Sequence, residues 1–103
     1  MEEIEKKKRK MDLIFRECMI ISDYFIESNK RRGKDSSFDE MMKENLLKGY
    51  TVDKENTKLL SRNISGYRMA LKDLYEMVRI SLKKEEQAEL KQRILDELGS
   101  DAV

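Results

Sequence analysis

Two stretches of the chain keep a seven-residue apolar repeat, and that repeat restricts the fold more than any other feature. The first is Ile4, Lys7, Met11, Ile14, Cys18, Ile21 and Phe25, in alternating steps of three and four with one lysine in the seam. The second is Leu60, Ile64, Tyr67, Leu71, Leu74 and Val78. Such a seam belongs to long helices packed nearly parallel or antiparallel to neighbours. Composition points the same way. There is no proline to break a helix, and 42% of the residues are Asp, Glu, Lys or Arg, three of them good helix formers. Disordered chains of similar charge lack a sustained apolar period. The expected fold is all-α: a four-helix bundle with two long and two short helices, in one domain over residues 1–103.

The first helix is expected over residues 4–28. Within residues 11–26, eleven of sixteen are apolar, so the apolar surface extends well beyond the seam. A helix apolar over most of its circumference needs neighbours on several sides. It is then either the centre of the bundle or a dimer interface. The expectation is a homodimer through the first or the long third helix, with Met11, Ile14, Cys18, Ile21 and Phe25 as candidates for a dimer or partner interface. The same stretch is interrupted by Asp12, Arg16, Glu17 and Asp23, too many charges for a bilayer span, so no membrane association is expected. A lone cysteine in the seam reads as a buried, inert thiol and fits a cytoplasmic setting.

Gly33 reads as the left-handed residue closing the first helix. Ser37 and Glu40 fit a capping box opening a second helix over residues 38–48, which should stop at Gly49. Thr51 or Asp53 is expected to cap a third helix over residues 54–80. The apolar repeat holds its phase across Ser65 and Gly66, which argues for an unbroken helix there. After Val78 the phase resets, placing a corner at Ser81, Leu82 and Lys83. A last helix follows over residues 84–98, closed by Gly99.

Catalysis is poorly served. The chain has no histidine, one cysteine and four isolated glycines, which leaves no zinc site, no Cys-His pair and no phosphate-cradling loop. Neither metal nor cofactor is expected, and an enzyme is the least favoured class. Lys plus Arg number 22 against 21 for Asp plus Glu, so any case for nucleic acid rests on local clusters. The cations at positions 6–10 follow Glu2, Glu3 and Glu5 and read as an intrahelical ion-pair ladder. Lys30, Arg31, Arg32 and Lys34 surround Gly33 and offer a phosphate clamp; the plainer reading is a solubilising loop that complements the helix dipole.

Residues 49–74 are superficially similar to a helix-turn-helix. Ser61, Arg62 and Asn63 would form the turn, Ser65, Tyr67 and Arg68 would face the major groove, and Lys72 would approach phosphate. The turn is longer than usual, and Asn56 or Thr57 stands where a small residue normally packs. Methionines add an adaptable apolar element, above all the adjacent Met41 and Met42 on the second helix, which join the candidate partner interface. The preferred reading is a small non-enzymatic regulator or adaptor acting by helix-mediated protein contact. The alternative is a DNA-binding transcriptional regulator of a phage, plasmid or other mobile element.

Overall fold

A computed structural model describes residues 2–99. It contains four α-helices and, among the described residues, no strand: α1 Glu2–Arg31, α2 Ser37–Asp53, α3 Leu60–Ser81 and α4 Lys84–Leu98. A single 3-10 turn, Thr57–Leu59, leads into α3. Side-chain pairs fix the directions. Asn29 meets Asp39, Asp23 meets Lys43 and Asp12 meets Tyr50, so α2 runs back along α1. Glu86 bonds Ser28 and Arg32, while Leu98 lies beside Arg16 and Ile20, so α4 also runs antiparallel to α1. With α3 parallel to α1, the order is up-down-up-down.

α1 is the hub. It packs against α2, α3 and α4, whereas those three touch one another far less. Its seam faces α3: Met11, Ile14, Cys18 and Ile21 are fully buried against Leu60, Ile64, Tyr67 and Leu71. The wide apolar circumference of α1 is therefore covered by helices of the same chain. Met11, Ile14, Cys18, Ile21 and Phe25, the candidates for a dimer or partner interface, lie in the interior of the single chain.

The largest departures from the expected helix limits are the end of α1 at Arg31, the end of α2 at Asp53 and the start of α3 at Leu60. α2 does not stop at Gly49 but continues to Asp53. Tyr50 stacks on Phe15 with ring centroids 3.9 Å apart and donates a 2.8 Å hydrogen bond to Asp12. Asp53 accepts the Tyr67 hydroxyl at 2.8 Å. These contacts hold the last turn helical and outweigh the local glycine signal. Thr51 and Asp53 accordingly cap nothing, and α3 begins at Leu60 instead of near residue 54. At the start of α2, Asp35 takes both the amide and the hydroxyl of Ser37, at 2.9 and 2.6 Å. Ser37 is thus inside the helix, and Ser36 at the N-cap turns its hydroxyl to Glu40 at 2.9 Å. Gly33 has φ +70° and the Lys34 amide reaches back to the Asn29 carbonyl at 2.8 Å, closing α1 as a Schellman turn. α3 is continuous through Ser65 and Gly66 and ends at Ser81; Leu82 is extended and forms the corner.

Candidate functional site

The α2–α3 side of the molecule concentrates exposed apolar surface. α2 is 17 residues long and buries none of them. Asp39, Lys43, Leu46 and Tyr50 face α1, while Met42, Phe38, Val52 and Met41 lie progressively further round the helix, from about 70° to about 170° away. Phe38 is 60% exposed and Val52 68%. Between α2 and α3 lies a groove of about 420 Å³, which Met42 alone of these four lines. Met42, Leu46 and Gly49 form one wall; Asn63, Gly66 and Ala70 form the other. The small residues keep the α3 wall low, and a Cβ on Gly66 would meet nothing within 4 Å. Asn63 Nδ2 is buried there without a hydrogen-bond partner among the described residues. Met69, on the outer edge of α3, is 68% exposed.

The basic corner is engaged within the fold. Lys30 pairs with Glu40 at 3.8 Å, Arg31 with Glu89 at 3.8 Å, and Arg32 with Glu86. These bridges tie the end of α1 to the starts of α2 and α4. Arg31 also lies 5.7 Å from the Tyr24 ring centre, with Arg93 at 5.2 Å from the same ring. Lys34 is exposed beyond them.

The segment that is similar to a helix-turn-helix is helical where that motif would need its turn: Ser61, Arg62 and Asn63 form the first turn of α3. Tyr67 is buried, with its hydroxyl donated to Asp53, so it cannot reach a base edge. Ser65, Arg68 and Lys72 are exposed. They stand at the opposite end of the bundle from residues 30–34, since α1 and α3 run parallel from a shared start.

One cluster escapes a reading of either segment alone. Lys6, Lys7 and Lys10 of α1 line a groove of about 460 Å³ with Ser61, Ser65 and Arg68 of α3. None of these four cations makes an ion pair among the described residues, so the ladder expected from Glu2, Glu3 and Glu5 does not form. A signal was present in the sequence. Lys6, Lys10, Leu13, Glu17, Ile20 and Tyr24 continue one another in steps of four and three, so the cations share a face with packed residues.

Inside the bundle, Glu17 is fully buried and accepts the hydroxyl hydrogen of Tyr75. Burial first, and the adjacent Glu17 second, push the Cys18 thiol up to about 12 from 9.0. The thiol points its hydrogen at the Tyr67 carbonyl, a long contact of 3.9 Å. These groups lock helices together. Among the described residues no cluster of His, Cys, Asp or Glu is placed to hold a metal ion, and no helix is long and apolar enough to cross a membrane.

No family model, curated protein or solved structure matches the chain.

Proposed function

We propose that the protein is a small non-enzymatic adaptor or regulator that binds a protein partner through the α2–α3 groove. The observation that carries this reading is a helix of 17 residues that buries none of them yet shows Phe38, Met41, Met42 and Val52 to solvent. Apolar surface gathered beside a groove is costly to leave wet and is typical of an interaction site. The ligand that fits is the apolar face of an amphipathic helix, which would lay its side chains over Gly66 and Ala70 between flanking methionines. Methionine walls adapt their shape to such a ligand. The Asn63 amide offers a hydrogen bond to it. A second copy of this chain is one such partner, and the homodimer would then form through α2 instead of α1. The setting proposed is the cytoplasm.

A DNA-binding regulator is the weaker alternative. Tyr67 is consumed by the core, and Lys30, Arg31 and Arg32 are consumed by carboxylates, which leaves Ser65, Arg68 and Lys72 on one face of α3, apart from Lys34 beyond the end of α1.

Size-exclusion light scattering and affinity capture from the native host test the proposal together. Wild-type protein should self-associate with rising concentration or retain a specific partner. Met42→Glu and Ala70→Glu should abolish that association while leaving the helical circular dichroism unchanged. A chain that stays monomeric at high concentration and retains nothing, or an association indifferent to both changes, would overturn it.

A further inference from the structure

α4 occupies only part of the channel built to receive it. The channel has two walls. On α1 the wall is the stripe Lys6, Lys10, Leu13, Glu17, Ile20, Tyr24 and Arg31; on α3 it is Ser61, Ser65, Arg68, Lys72, Tyr75 and Arg79. α4 has 15 residues against 30 in α1, roughly 22 Å against 45 Å at 1.5 Å per residue. It fills the far half. Glu86 meets Ser28 and Arg32, Arg93 meets Glu27 and the Tyr24 ring, and Leu90 and Ile94 are buried beside Val78. At Leu98, level with Arg16 and Ile20, it ends. The near half of the channel is the groove of about 460 Å³ lined by Lys6, Lys7, Lys10 and Arg68, with buried Ile64 on its floor.

We propose that this near half receives an acidic amphipathic helix of about three turns from a partner protein, lying end to end with α4. Shape and charge select this occupant. The α1 face that holds α4 continues into this groove, and α3 supplies the facing wall. Four cations from two elements crowd one concavity without an ion pair among the described residues, and Glu3 is the one acid lining it. Their mutual repulsion opposes folding and is relieved by carboxylates spaced one turn apart, the rise that separates Lys6 from Lys10. The Ser61 and Ser65 hydroxyls complete a polar rim, and Ile64 accepts one apolar side chain.

Nucleic acid fits less well. A duplex is too broad to enter a one-helix channel, and no aromatic ring lines it to stack an unpaired base. The near-neutral chain, at formal net charge +1, supplies little long-range attraction for phosphate. This site lies on a different face from the α2–α3 groove and does not depend on it.

The test uses the full chain and a fluorescein-labelled synthetic helix of about 12 residues, with glutamates at two i,i+4 pairs and a leucine between them. Fluorescence anisotropy should show saturable binding at low salt that weakens as salt rises. Lys10→Glu with Arg68→Glu should weaken it by about tenfold or more, the effect of reversing two screened charges. Met42→Glu should leave it unchanged. A peptide with lysines in place of the glutamates should bind the charge-reversed protein better than the wild type. Both substituted positions are exposed, and circular dichroism verifies folding. Four results would each overturn the proposal: no saturable binding at low salt, binding indifferent to the charge reversals, tighter binding of an oligonucleotide that the same reversals abolish, or self-association that they abolish.

Discussion

Tyr75 and Glu17 show how one hydrogen bond can decide a packing choice. The carboxylate is fully buried, and the Tyr75 hydroxyl is donated to it from α3 across 58 residues of sequence. Losing a side-chain hydrogen bond inside a fold costs about 0.5–1.5 kcal/mol. Tyr75→Phe should therefore lower the urea midpoint by a corresponding amount, while Tyr75→Trp should not restore it. Next to Glu17, the Cys18 thiol is both buried and pushed up to about 12 from 9.0. Its thiolate is therefore much scarcer near neutral pH than that of an exposed cysteine. Native-state alkylation should be far slower than that of the urea-unfolded chain. Equal rates would mean that the α1–α3 seam opens readily. The apolar repeat foretold burial of Cys18, because its neighbours in the seam are local. Nothing local announced burial of Glu17, whose hydroxyl partner is remote in the chain.

The elements differ in how firmly they are held. α1 and α3 share a continuous apolar seam, and their repeat was readable across Gly66 because phase is a property of neighbouring residues. α2 docks through a few partly buried contacts, chiefly Leu46, Lys43 and the stacked ring of Tyr50. Its end at Asp53 was illegible, since the aromatic stack with Phe15 that extends it exists only in the folded molecule. Amide exchange should accordingly release α2 at a lower opening free energy than the middle of α1. Two glycines on these helices should respond oppositely to alanine. Gly66 is helical with open space around it, so Gly66→Ala should raise stability by about 0.5–1 kcal/mol. Gly33 has φ +70°, so Gly33→Ala should lower stability by about 1–2 kcal/mol. Thermal melts of the two variants provide the comparison.

For the molecule as a whole, alkaline pH is the sensitive direction. Burial pushes the ionisation of Tyr50, Tyr67 and Tyr75 to higher pH, and each hydroxyl is additionally committed to a carboxylate, Asp12, Asp53 and Glu17 respectively. Cys18 is raised as well. The folded chain thus retains protons that the unfolded chain releases above about pH 9–10, the ordinary range of these groups. Bound protons favouring the folded state mean that stability falls as pH rises through that range. Urea midpoints should be level from neutrality to about pH 9 and decline beyond it. Tyr50→Phe with Tyr67→Phe should flatten the decline. An unchanged slope would show that these hydroxyls are not held as described.

The hub arrangement also has a consequence in time. α1 precedes every helix that covers it, and the last residue of its main partner α3 follows the end of α1 by about 50 residues. At roughly 5–20 residues per second, a ribosome delivers that partner only after some 3–10 s. Through that interval the seam of Met11, Ile14, Cys18 and Ile21 lacks the α3 residues that bury it, and any slowing of translation between codons 31 and 81 prolongs that state.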